Sequence, residues 1–152
     1  MKAITRRTLM KSALVGGTAA ALAPYSRVLG ANNDIRVAVV GFNSQGSNHI
    51  KYFSNLPGVR VVALCDADTK LIDREVKKFK QRSEKVDSYV DVRKLLDDKN
   101  IDAIITATPN HWHALVTIWA CQAGKDVYVE KPASYNIWEG RKMSKQPENT
   151  IE

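Results

Sequence analysis

The sequence predicts an α/β fold, a doubly wound parallel sheet left incomplete at its C-terminal edge. Two observations carry this. From Ile35 onward, short β-branched runs alternate with helical patterns, as expected of parallel strands joined by crossover helices. The runs are also nearly continuous in apolar residues, which suits strands covered on both faces.

Ile35 to Val40 is the first strand, and a helix follows from about Gln45 to Asn55, ended by Pro57-Gly58. Val59 to Leu64 is the second strand. The next helix spans about Thr69 to Arg82, with Ile72, Val76 and Phe79 on one arc and Lys or Arg on the wet face. Val86 to Tyr89 makes a short third strand. Asp91 caps a helix in which Val92, Leu95 and Leu96 share a face, closed by Asn100. Ile101 to Ala107 is the fourth strand, and the helix after it runs from about His111 to Ala123. Its Ala114, Leu115, Ile118 and Cys121 align before the stop at Gly124. Asp126 to Glu130 is the fifth strand, and Tyr135 to Met143 starts one more helix. A complete doubly wound fold has six strands, so the last is missing, and the tail Ser144 to Glu152 abandons the helical pattern.

With 152 residues, 44% apolar and 26% charged, the chain has room for one domain with a real core. Its formal charge of +7 is uneven: residues 1–31 hold five of the 23 Lys and Arg and none of the 16 acids. The remainder has 18 basic against 16 acidic residues and no basic stripe interleaved with aromatics. Nucleic-acid binding is therefore not expected.

The excess charge belongs to the amino terminus. Thr5 to Lys11, TRRTLMK, precedes a mildly apolar stretch, Ser12 to Ala23, too short and too rich in Gly and Ala to span a bilayer. It resembles a twin-arginine signal, T-R-R-x-L-x-K, whose family delivers folded proteins across the bacterial inner membrane. That implies a signal peptide over 1–31, the twin-arginine export machinery as partner and a periplasmic destination. A nucleotide-binding domain is expected over 32–143 and an atypical polar tail over 144–152. Cys65 and Cys121 lie inside predicted buried elements without metal-ligand spacing, so buried free thiols are expected and no metal.

Chemistry begins at Val37 to Ile50, VAVVGFNSQGSNHI. A dinucleotide turn reads G-x-G-x-x-G: the first glycine allows the bend, the second lets backbone approach the pyrophosphate, and the third lets helix and strand pack closely. Gly41 and Gly46 meet the outer two needs. Asn43 takes the middle place, and Asn adopts unusual backbone angles more readily than most residues. Ser44 adds a hydroxyl near a phosphate, beside the free N–H groups of the next helix. Asp66 lies 20 residues beyond Gly46 at the end of the second strand, where an acid accepts bonds from the adenosine ribose hydroxyls. A carboxylate there repels a 2′-phosphate and no Arg follows within three residues, favouring NAD over NADP. The alternative is that Asp66 or Asp68 merely caps the next helix.

Two further segments sit at the carboxyl ends of the fourth and fifth strands, where ligands bind in open α/β sheets: Ala107 to His113, ATPNHWH, and Val127 to Pro132, VYVEKP. Here the chain resembles the Gfo/Idh/MocA family of nicotinamide-dependent oxidoreductases, which act mostly on sugars and cyclitols. The resemblance covers about Ile35 to Met143 and rests on T-P-N-x-x-H followed by G-K-x-V-x-x-E-K-P. It implies a Rossmann domain in which Thr108, Pro109, Asn110 and His113 form the loop beside the nicotinamide. Glu130 and Lys131 match the E-K-P signature, whose lysine assists proton movement at the substrate hydroxyl. On the residues alone, Lys131 could instead pair with Glu130, His111 reads as a surface or helix-start residue, and His113 could be a packed helix residue.

The resemblance further implies a second α/β domain that forms the substrate pocket and the oligomer interface. None follows within the 152 residues, so the chain is expected to be truncated before it, and homo-oligomers only where that domain is present. The intact form would transfer hydride between a nicotinamide cofactor and a sugar-like or cyclitol hydroxyl. Some relatives use transient oxidation to cleave glycosidic bonds. The alternative is a truncated, non-catalytic nucleotide-binding fragment.

Overall fold

Five parallel strands form one sheet in the order β3-β2-β1-β4-β5 in a computed structural model that describes residues 34–146. The signal expected over 1–31 and the end of the polar tail lie outside the described residues. The elements are β1 (Ile35–Val40), α1 (Gln45–Ser54), β2 (Val59–Cys65), α2 (Thr69–Gln81), β3 (Asp87–Tyr89), α3 (Val92–Leu96), β4 (Ala103–Thr106), α4 (Asn110–Gln122), β5 (Asp126–Val129) and α5 (Ile137–Met143). Order and parallel pairing are those of the first five strands of a Rossmann sheet.

Each buried strand feeds two cores, because successive side chains leave opposite faces. Val37 and Val39 of β1 join Ile50, Ile72 and Phe79 from α1 and α2. Ala38 and Val40 join Leu95, Leu96, Val116 and Ala120 from α3 and α4. The helices thus cover both faces, the physical meaning of the continuous apolar runs. A register shift between Val37 and Ala38 leaves one extra residue, Val62, in β2 opposite β1.

Local chemistry sets the ends of the helices. Asp68 caps α2 by accepting from Lys70 N–H, and Asp91 caps α3 by accepting from Arg93 N–H. Asn136 caps α5 by accepting from Glu139 N–H while Glu139 accepts from Tyr135 N–H. This reciprocal cap starts the helix at Ile137 rather than at Tyr135. Gly124, at φ +71°, ends α4 as expected.

Two expectations need correction. α3 stops at Leu96, not near Asn100, because Asp98 turns the chain: its carboxylate accepts from Asn100 N–H at 2.8 Å and from the Tyr89 hydroxyl at 3.0 Å. Such local side-chain bonds compete with helix. The buried face of α4 is His113, Ala114, Val116, Thr117 and Ala120, whereas Leu115 is 38% exposed. Two polar residues hold the inner arc because both are bonded there, Thr117 Oγ1 to the His113 carbonyl and His113 to two carbonyls of its own.

Candidate functional site

The carboxyl ends of β1, β2, β3 and β4 open into one cleft of about 970 Å³. Its floor is the turn after β1. Gly41 has φ +76°, and a Cβ there would lie 2.9 Å from three atoms of Thr108. At Gly46 a Cβ would lie 1.9 Å from the Gly41 carbonyl oxygen. Only glycine fits at either place, for the two reasons the outer glycines of a dinucleotide turn require. The middle position behaves differently from expectation. Among the described residues Ser83 alone of the non-glycine residues has positive φ, so Asn43 turns the chain without a left-handed backbone.

Asp66 occupies the wall beside this turn. One carboxylate oxygen accepts from Phe42 N–H at 3.0 Å, and the other accepts from Asp68 N–H at 3.0 Å. Capping of α2 falls to Asp68, so the alternative role for Asp66 is not the one it fills. Each carboxylate oxygen keeps further lone-pair capacity, held in place by backbone and directed at the cleft it lines.

Helix ends supply the second electrostatic feature. α2, α3 and α5 each carry a side-chain cap, whereas Ser44 and Pro109, at the starts of α1 and α4, make none. Both uncapped starts line the cleft. First-turn N–H groups without a side-chain partner, at the positive end of the helix dipole, suit an anion. Ser47 Oγ donates to the Phe42 carbonyl and braces the turn from behind.

Gly41, Asn43, Ser44, Asp66, Thr108 and Pro109 all line the cleft, as a shared site requires. Gly46 lies directly beneath them. Asn110 is exposed at the start of α4, outside the lining. His113 is a packed helix residue, 1% exposed, with Nδ1 2.7 Å from the Pro132 carbonyl and Nε2 2.7 Å from the Thr108 carbonyl. Neither nitrogen is left for a ligand. Glu130 also turns from the cleft, its Oε1 lying 2.6 Å from Nε2 of His49. Lys131 is exposed at the end of β5 and has no ion-pair partner among the described residues.

Sequence reasoning missed three contributors. Trp112 and Trp119, edge to face at 6.4 Å, form an apolar wall. Arg93 reaches the same cleft from the first turn of α3, although no Arg follows Asp66 closely in sequence. Its guanidinium is held by Asp91 through Nε at 3.0 Å and Nη2 at 2.6 Å, and this bonding pushes the Asp91 carboxyl down to about 2. His49 is the third, a polar residue on the inner face of α1 whose position gave no signal.

The glycine cradle, the oriented acid and the uncapped helix starts fit a dinucleotide. Residues 35–150 match the model of the Gfo/Idh/MocA oxidoreductase family, NAD-binding Rossmann fold. The chain belongs to this family. As a Gfo/Idh/MocA domain it is similar to the α-N-acetylgalactosaminidase of Shewanella oneidensis, at 34% identity over 110 residues, covering 69% of this chain and 24% of that protein. Among solved structures it is similar to myo-inositol dehydrogenase from Lactobacillus casei in complex with NAD(H) and myo-inositol, at 26% identity and TM-score 0.69, covering 74% of this chain and 33% of that one. The WlbA dehydrogenase from Bordetella pertussis in complex with NADH and UDP-GlcNAcA is similar at 25% identity and TM-score 0.67, with the same coverage. The chain spans about a quarter of the length of the curated relatives it matches.

Proposed function

We propose that this Gfo/Idh/MocA domain binds NAD in preference to NADP and serves an oxidoreductase acting on a sugar-like or cyclitol hydroxyl. The observation that carries the proposal is Asp66, a carboxylate fixed by two backbone N–H groups on the wall of the glycine-turn cleft. In that place it would accept from the ribose hydroxyls and repel a 2′-phosphate. Gly41, Asn43, Ser44 and the first turn of α1 would hold the pyrophosphate. Thr108 and Pro109 would border the nicotinamide end. When bound, the cofactor supplies a hydride acceptor.

Lys131 would move the substrate hydroxyl proton. Its exposure at the carboxyl end of β5 and its freedom from Glu130 support this role. Similarity to a myo-inositol dehydrogenase and an α-N-acetylgalactosaminidase supports the substrate class. The pattern Arg6-Arg7 before an apolar stretch supports export to the periplasm by the twin-arginine route. Replacing both arginines by lysine should then leave the protein in the cytoplasm on fractionation.

The test is titration of NADH and NADPH into the purified chain and its Asp66→Arg variant. Wild type should prefer NADH, and the variant should lose that binding. NADH affinity unchanged in Asp66→Arg would remove the ribose assignment.

A further inference from the structure

Lys131 stands between two neighbours, each held by a buried histidine. On its amino side, Glu130 meets Nε2 of His49 at 2.6 Å, and His49 is 5% exposed. On its carboxyl side, the Pro132 carbonyl meets Nδ1 of His113 at 2.7 Å, and the other nitrogen of that ring meets the Thr108 carbonyl. His49 belongs to α1, the helix opened by the glycine turn. His113 belongs to α4, the helix opened by Thr108 and Pro109. The segment carrying Lys131 is thereby fastened to the helix that follows the glycine turn and to the Thr108 loop, although only Thr108 of the fastening groups lines the cleft.

The two fasteners differ in chemistry. Glu130 is a partly buried carboxylate next to the ammonium of Lys131 in sequence. His49 occupies it instead. Tyr128 and Phe53 enclose His49, their ring centroids 5.5 and 6.1 Å from its own, so the ring has little freedom to leave. His113 faces two carbonyl acceptors, and a neutral imidazole has one N–H to give while an imidazolium has two. A neutral ring donates to one of the two carbonyls, Pro132 or Thr108, and an imidazolium to both.

We infer that His49 and His113 are positioning residues that clamp the Glu130–Pro132 segment and so keep Lys131 free at the carboxyl end of β5, beside the Thr108 loop that borders the nicotinamide end of the cleft. This rests on the cofactor reading proposed above. Loss of the clamp should disturb the nicotinamide end and spare the adenosine end, where Asp66 acts.

The experiment compares NADH with ADP-ribose, which lacks only the nicotinamide, by calorimetry on the full chain. His49→Leu should weaken NADH relative to ADP-ribose by about tenfold, the scale of losing a buried partner to a charged group. His49→Gln, which keeps a donor for Glu130, should restore the wild-type ratio. Should the leucine variant not fold, His49→Asn carries the same expectation as the leucine, since its amide is too short to reach Glu130. General structural damage would weaken both ligands together and leave the ratio unmoved. An unchanged ratio in folded His49→Leu or His49→Asn overturns the clamp alone. Wild type binding neither ligand would overturn the cofactor reading and the clamp with it.

Discussion

Asp66 holds the backbone N–H of Phe42 at 3.0 Å, tying the end of β2 to the turn that leaves β1. The acid therefore shapes the cradle as well as lining it. Phe42 itself is fully buried, so removing the carboxylate leaves an N–H poorly placed to find water. Asp66→Ala should destabilise the ligand-free chain by about 1–2 kcal/mol, the usual cost of an unpaired buried donor. Urea unfolding without cofactor measures this, and an unchanged midpoint would confine Asp66 to ligand contact.

The glycines should rank by what surrounds them. Gly46→Ala drives a Cβ to 1.9 Å from a carbonyl oxygen, and backbone cannot step aside as a side chain can. We expect a loss of about 3 kcal/mol or more. Gly124→Ala meets nothing within 4 Å and suffers only the left-handed backbone cost of about 1–2 kcal/mol. Thermal melts of the two variants should fall in that order.

Acid stability should depend on Arg36 and Asp102. The Arg36 side chain, bonded through Nε at 2.8 Å, holds the Asp102 carboxyl below its ordinary range. A depressed carboxyl contributes stability that is complete above its unfolded value, near pH 4, and lost as pH falls through the lower folded value. Asp102→Asn should accordingly flatten the decline of the urea midpoint as pH falls below about 4. Equal slopes in the two proteins would assign acid sensitivity elsewhere.

Thiol chemistry should report unfolding. Burial first, then the negative charges of Asp66 and Asp91, push the Cys65 thiol up to about 12. Thiolate is the reactive form, so in a Cys121→Ser variant at pH 8 we expect labelling of Cys65 only as fast as the chain opens. Immediate stoichiometric labelling in the absence of denaturant would contradict its burial.

Local features were legible in the sequence, and features made by distant contact were not. The strands, the outer glycines, Asp66 and the stop at Gly124 are written in short windows of β-branched residues, spacing and turn chemistry. The expected inner arc of α4 leaves out Thr117 and gives a packed His113 only as an alternative, because polar residues belong inside a helix face only where carbonyl partners await them. His49 was silent for the same reason, its partner Glu130 lying 81 residues away. Arg93 enters the cleft from the start of α3, which proximity along the chain to Asp66 does not reveal. Asn43 was credited with a backbone angle that this turn does not use.

The central place of β1 has a consequence for biosynthesis. Its partners come from both sides, β2 soon after it and β4 much later, with Arg36 and Asp102 separated by 66 residues. At about 5–20 residues per second, the ribosome leaves β1 with one open edge for roughly 3–13 seconds. During that interval the hydrogen-bonding groups that will meet β4 can be met by any other extended chain nearby. Elongation speed between codons 41 and 102 then sets the window in which a chaperone must shield this nascent edge.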